Sequence, residues 1–357
     1  NNKIFRILFL AFIFISIIHI GYAVWVNRGM YSDGGFFMLV LLNNAENGIF
    51  RFEYDVCHTR FCMNAILQIP VMLAYLIGIK SKFFLMGVYT FAQLAFPFLA
   101  LLWNYKLSQR TKRTDIFLWS LFAYCVICSL FLVYSLVETL LGFMFNFILW
   151  NYIASNIDYK KRDIAIIIFL LIMMAGTYEY NAYLSFCFFI AHFFYAAKEK
   201  IKFHKIIKHI AGFGCLAVSV FDIIYILNVP DEEGEIRRYL KEFVDYLPSA
   251  LHLNILMSII AVILIGLLFF KKKPMGYLSL TAVFAIFTAS LISLISNLQD
   301  SLVPMWECHM RTIPCYMSVI IFGGLFIKDI LNKPDNNIRI LNFICICLVC
   351  GIFHANW

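Results

Sequence analysis

The sequence predicts an all-α fold: a polytopic membrane protein of about 11 transmembrane helices, with a large first outer loop that holds two juxtamembrane helices. Three observations predict it. The chain is 62% hydrophobic and only 14% charged, where soluble domains run about 45–50% apolar and about 25% charged. Apolar runs of about 20 residues recur along the whole chain, the length that crosses roughly 30 Å of hydrocarbon as helix. The charges, finally, are gathered into short stretches between those runs. A soluble fold is excluded, and the 357 residues read as a single transmembrane domain whose chemistry must sit in loops or at helix ends.

The placement of charge orients the chain. Lys3 and Arg6; Lys106, Arg110, Lys112 and Arg113; Lys160 to Arg162; Lys198, Lys200, Lys202, Lys205 and Lys208; Lys271 to Lys273; and Lys328, Lys333 and Arg339 make up 20 of the 29 Lys and Arg. The same stretches hold six acidic residues, and the rest of the chain holds nine basic and fifteen acidic ones. Basic loops face the cytoplasm, so the net charge of +8 is a topology signal rather than a nucleic-acid footprint.

Each span follows in order. The first, residues 4–26, enters behind Lys3 and Arg6; no small-residue cleavage site follows it, so it reads as a retained helix and not a signal peptide. Counting both 62–79 and 83–103 as crossings would put every later basic stretch on the wrong side. The segment 62–79 is the shorter and carries Asn64, Gln68 and Pro70, so it is expected to lie on the outer leaflet. Residues 27–82 then form one outer loop with helices near 35–46 and 62–79. Further spans are expected at 83–103, 116–134, 137–155, 163–178, 181–197, 208–228, 251–270, 277–297, 313–331 and 339–355, with an acidic outer loop at 229–250. The amino terminus is inside and the carboxyl terminus outside. A start at Asn1 without Met and an end at Trp357 predict that the chain continues at one or both ends.

An ionisable residue in or against a bilayer costs a few kcal/mol and is a functional candidate by default. Four outer clusters qualify. In Tyr31-Ser-Asp33-Gly-Gly35, Asp33 is either an N-cap for the helix that follows or a carboxylate base facing a hydroxyl. In the stretch from Arg51 to Arg60, His58 and Arg60 precede the helix at Cys62, whose amino end favours an anion such as phosphate; interfacial anchoring is the alternative. Glu138 and Glu179 interrupt apolar sequence at two tight outer turns, as site residues or ordinary turn acids. In Trp306-Glu307-Cys308-His309-Met310-Arg311, the Arg311 fork with Glu307 and His309 matches phosphate oxygens, against a belt of interfacial anchors.

Other residues point less sharply. Seven of the eleven Cys lie inside spans, where Cys acts as a small hydrophobe, and Cys57, Cys62 and Cys308 fall on the outer side without a zinc-binding pattern. His192, His204, His209 and His252 are scattered and read as structural. Asp222, near the end of a span, is the one acid inside an apolar run. No phosphate-binding glycine loop, nucleophile elbow or metalloprotease motif is present.

This layout, with one span, Asp33 just outside it, a long first loop with two juxtamembrane helices and a span ending in a basic turn, resembles the GT-C class of polyprenyl-phosphate-sugar-dependent glycosyltransferases. The resemblance covers about the first 160 residues and a late Arg311-Thr-Ile-Pro314 element similar to one that binds lipid phosphate. It implies Asp33 as catalytic base, Glu138 as the second acid, and His58, Arg60, Glu179, Glu307, His309 and Arg311 as substrate-binding residues. Asp33 is followed by two glycines where the class usually has a second acid; a divalent metal is the one cofactor in view, and no residue is assigned to it. The size and the Ile, Phe, Lys and Asn richness look like phage-type serotype-converting glucosyltransferases that decorate O-antigen. The implied partners are a polyprenyl-phosphate sugar donor, a glycan or lipid-linked acceptor and membrane lipid, with no nucleic acid. The implied place is the bacterial inner membrane, with the active face periplasmic. Two other readings compete: an O-antigen polymerase or ligase, and a lipid-linked-sugar transporter or flippase, which would carry polar groups at mid-span.

Overall fold

The computed structural model describes residues 2–30, 35, 38–42, 61–131, 137–178, 180–228, 321–326 and 328–330. The chain divides into two compact units, Asn1–Leu227 with Cys350–Trp357, and Asn228–Val349. In the second unit residues 321–326 and 328–330 are helical, within the apolar run at 313–331. The spans expected at 251–270, 277–297 and 339–355 lie outside the described residues, as does the loop at 229–250. Among the described residues every regular element is helical and none is a strand, so the fold is all-α.

The elements are α1 (Asn2–Trp25), a 3-10 turn (Arg28–Met30), α2 (Phe61–Leu76), α3 (Lys82–Thr111), α4 (Thr114–Phe131), α5 (Val137–Ala154), α6 (Lys161–Met174), α7 (Tyr180–Ala197) and α8 (Lys202–Asn228). Residues 38–42 are also helical, inside the first of the two expected loop helices. Two helices differ from the apolar runs that predict them. Helix α3 runs on through Lys106 and Arg110 to Thr111 and stops where Lys112 takes a left-handed conformation, its N–H donating to the Ser108 carbonyl. Helix α8 begins at Lys202, so Lys205 and Lys208 belong to its first turns. Hydropathy marks the apolar middle of a helix, and charged first and last turns continue it without changing the backbone. By length and composition, α3 and residues Lys202–Tyr225 of α8 are each able to cross a membrane.

Helix α5 is mostly apolar and its described side chains are buried all round, as expected of a central helix: Phe143, Met144, Phe147, Trp150 and Tyr152 are all within 2% of complete burial. It packs against α3, α4, α6 and α7. Aromatic contacts fix α1 beside α3 and α4, with Phe9 at 4.4 Å from the Tyr105 ring and 5.2 Å from that of Phe117. Near the other end of α1, the Gly87 backbone approaches Val24 and Asn27. Thus α1 and α3 run antiparallel.

Beside this apolar core, many polar side chains point inward and many large apolar ones outward. Leu10, Phe14, Tyr22 and Trp25 on α1 are 59–78% exposed, and Ile172, Ile190, Phe213 and Ile224 are exposed on α6, α7 and α8. Large exposed apolar faces combined with buried polar side chains are the informative departure from a water-soluble pattern. The inward polar layer centres on Asn151. Its Nδ2 donates to Asn104 Oδ1 at 3.1 Å and Ser108 Oγ at 2.8 Å; its Oδ1 accepts from Thr111 and Ser155, both at 2.9 Å. Asn104 in turn donates to Ser120 at 2.8 Å. Every hydrogen-bonding position of the Asn151 amide is used, joining α3, α4 and α5 where apolar packing alone would leave their register loose.

Ion pairs fix the basic end. Arg110 at the end of α3 grips Asp163 at the start of α6, and it also donates to the Asp158 carbonyl at 2.5 Å. Arg113 pairs with Asp115 at 2.9 Å and donates to the Ala154 carbonyl at 3.1 Å. Since α6 leaves that end, the turn that follows Met174 lies toward the end where α3 begins. Helix α2 starts against that turn and is followed, after residues 77–81, by the start of α3. Both of its ends lie away from Arg110.

Candidate functional site

The turn after α6 collects polar contacts from four segments. Gly176 has φ +72°, a conformation in which a side chain would be strained. Its N–H donates to Asp222 Oδ1 of α8 at 3.2 Å, and its carbonyl accepts the Cys62 N–H of α2 at 3.1 Å. One residue therefore joins the first loop, the α6–α7 turn and the eighth helix. The Cys62 thiol is free and faces the Ile172 carbonyl at 3.7 Å. Burial, and then the nearby Asp222 carboxylate, push it up to about 11.

One step further, Tyr180 OH donates to the Thr139 carbonyl at 3.2 Å, and Thr177 Oγ1 donates to the Met173 carbonyl. Asn181 Nδ2 donates to the Met174 carbonyl at 3.0 Å, while its Oδ1 accepts from Asn146 Nδ2 at 2.8 Å. Gly142 permits this approach: a Cβ there would stand 2.7 Å from both the Thr177 methyl and the Tyr180 hydroxyl. Among the described residues, Asn146 Oδ1, Thr139 Oγ1 and Ser185 Oγ are buried without a hydrogen-bond partner, so the seam between α5 and α7 holds unused polar capacity.

Of the candidate residues, Asp33, His58, Arg60, Glu179, Glu307, His309 and Arg311 lie outside the described residues, and Glu138 is described in its backbone alone, as the second residue of α5. Their chain neighbours are described. Cys62 stands two positions after Arg60, Thr139 follows Glu138, and Tyr178 and Tyr180 flank Glu179. The Cys62–Gly176 and Tyr180–Thr139 hydrogen bonds, with the Tyr178 and Tyr180 rings 5.3 Å apart, bring these neighbours to one corner. The turn that precedes Asp33 packs on α3, where Gly29 approaches the Thr90 and Gln93 side chains. Among the described residues no group of three or more His, Cys, Asp or Glu could hold a metal ion.

Several residues gain importance only in the structure. His192 and His209 are scattered in sequence, yet their rings meet at 3.3 Å between Nε2 and Nδ1, with His192 also bonded to the Phe189 carbonyl. Polar side chains inside helices are more numerous than the single acid Asp222 suggests. A signal for part of the layer exists: Asn104, Ser108 and Thr111 recur at helical spacing on one face of α3. No family model, characterised protein or solved structure matches this chain.

Proposed function

We propose that this chain is an integral-membrane inverting glycosyltransferase of GT-C type, which moves a sugar such as glucose from a polyprenyl-phosphate donor to an outer-face glycan or lipid-linked acceptor such as O-antigen. The observation that carries the reading is the corner at Gly176, where the described neighbours of Arg60, Glu138 and Glu179 meet. The many-spanned topology, the inner-membrane location and the outward-facing site belong to the same proposal, supported by the sided distribution of charge.

In this mechanism Arg60 and Arg311 hold the donor phosphate. Asp33 takes the proton of an acceptor hydroxyl as that oxygen attacks the anomeric carbon. The bond to phosphate breaks with its electron pair leaving on the lipid phosphate, and the configuration inverts. Glu138, Glu179, Glu307, His58 and His309 orient the sugars. Preorganised cations at the departing phosphate lower the barrier because they need no rearrangement as charge develops.

The polar seam between α5 and α7 favours a second reading, a lipid-linked-sugar transporter or flippase without chemistry. Reconstitution separates the two, and also separates both from an O-antigen polymerase or ligase. The glycosyltransferase transfers one sugar from a polyprenyl-phosphate monosaccharide in detergent, with no membrane to cross. Absence of single-sugar transfer there, with movement of the intact lipid-linked sugar in vesicles, would overturn it.

A further inference from the structure

The hairpin between α7 and α8 turns its one acid inward. Glu199 lies 3.2 Å from the buried Lys208 ammonium and 3.8 Å from His204, and accepts the Lys200 N–H at 3.1 Å. The remaining cations of the hairpin, Lys198, Lys200, Lys202 and Lys205, are exposed. The hairpin between α5 and α6 is built alike: Asp163 turns inward onto Arg110, while Lys160, Lys161 and Arg162 are exposed.

The two hairpins are fastened side by side. His204 Nε2 lies 3.4 Å from Asp158 Oδ1, Lys208 donates to Asn156 Oδ1 at 3.5 Å, and the Tyr159 ring stands edge-on to His204 at 5.3 Å. Internal pairing therefore removes the carboxylates of Glu199 and Asp163 from this face and leaves one continuous cationic surface, with Asp158 as its exposed acid. Ile201, Phe203 and Ile206, at 53%, 44% and 46% exposure, are interleaved with Lys200, Lys202 and Lys205. Cations alternating with exposed apolar side chains match the boundary between headgroups and acyl chains, where ammonium groups meet phosphates and the aliphatic or aromatic parts enter hydrocarbon.

We propose that the joined α5–α6 and α7–α8 hairpins form a binding surface for anionic phospholipid headgroups of the leaflet at the basic end. The surface lies at the Arg110 end of the bundle, away from the Gly176 corner, and the proposal does not rest on sugar transfer. One lysine beside an anionic membrane gains roughly fivefold in lipid partition. Four together, discounted for screening, enrich anionic lipid by about tenfold.

The test uses the full chain purified in mixed micelles of equal phosphatidylglycerol and phosphatidylcholine, with retained lipid counted by mass spectrometry after washing. The wild type is expected to keep phosphatidylglycerol over phosphatidylcholine by about tenfold at low salt, and to lose the preference near 1 M salt as the screening length falls to about 3 Å. Joint Lys198→Gln, Lys200→Gln, Lys202→Gln and Lys205→Gln should equalise the two lipids at an unchanged melting temperature. The same four positions changed to Arg should keep the preference, as should Lys82→Gln at the opposite end of α3. Equal retention by the wild type, an undiminished preference in the four-fold Gln variant, or displacement of the retained lipid by a short oligonucleotide at equimolar amounts would overturn the proposal. None of these readouts depends on sugar transfer.

Discussion

The two terminal nitrogens of Arg110 meet the two oxygens of Asp163 in parallel, each at 2.7 Å, and so tie the end of α3 to the start of α6. Asp163 also accepts the Lys160 N–H at 2.7 Å and the Tyr152 hydroxyl at 3.3 Å, which satisfies a carboxylate whose side chain is wholly buried. Asp163→Ala should therefore lower stability by roughly 2–3 kcal/mol. That is less than the ~3–5 kcal/mol of a fully buried pair, because the Arg110 side chain is 28% exposed. Arg110→Lys keeps the charge and loses the fork, and should cost about 1 kcal/mol. Denaturation in detergent measures both; equal stability of all three proteins would refute the role of the pair.

Glu199 sets an acid limit on stability. Burial alone would raise its carboxyl, and the Lys208 ammonium, the Ile201 N–H and His204 together outweigh burial, so it titrates below its ordinary value of 4.5. A carboxylate depressed by folding contributes stability that is complete above its unfolded value and lost as pH falls through its folded one. Melting temperature should stay flat with respect to this group from about pH 5.5 upward and fall below about pH 4.5. In Glu199→Gln that contribution to the acid slope should disappear, at a lower plateau because Lys208 loses its charged partner. A Gln variant with an unchanged acid slope would contradict this.

Asp33→Asn should abolish transfer of a sugar from a polyprenyl-phosphate donor while expression and melting temperature stay as in the wild type. Asn is nearly the same size and retains capping capacity, so loss of activity alone separates the base from the cap. Near-normal turnover in this variant would remove Asp33 from the proposed mechanism.

Two glycines should respond in opposite directions to alanine. A Cβ at Gly212 would stand 2.1 Å from the His192 ring, which is itself held by the Phe189 carbonyl and His209. Gly212→Ala should destabilise by about 1–3 kcal/mol through overpacking. Gly21 meets nothing within 4 Å, and Gly21→Ala should gain up to about 1 kcal/mol of helix propensity. Paired melting curves check the contrast, and a stable Gly212→Ala protein would mean that α7 and α8 are free to separate there.

Helix position was legible in the sequence where the signal is local. The runs at 4–26, 83–103, 116–134, 137–155, 163–178, 181–197 and 208–228 each correspond to a described helix, because a long apolar stretch bounded by charge needs no distant information to become helical. The candidate clusters around Asp33, Arg60, Glu138, Glu179 and Arg311 rest on interruptions of apolar sequence alone, and apart from the Glu138 backbone those residues lie outside the described ones. The Gly176 corner was not legible: Cys62, Gly176 and Asp222 share no motif and belong to three separate segments.

The sequence by itself determined that the chain is helical and apolar and that its basic residues gather in short stretches between apolar runs, since composition and run length depend on nothing but local order. Only the tertiary structure decided which polar groups meet. Arg110 and Asp163 are 53 residues apart, and Asn104 and Asn151 are 47 apart. Their pairing depends on helix direction and rotation, and a buried hydrogen-bonding group takes whatever partner packing brings within reach. For the same reason the sequence showed cationic stretches at both hairpins but could not show that Glu199 and Asp163 turn inward and leave those cations exposed.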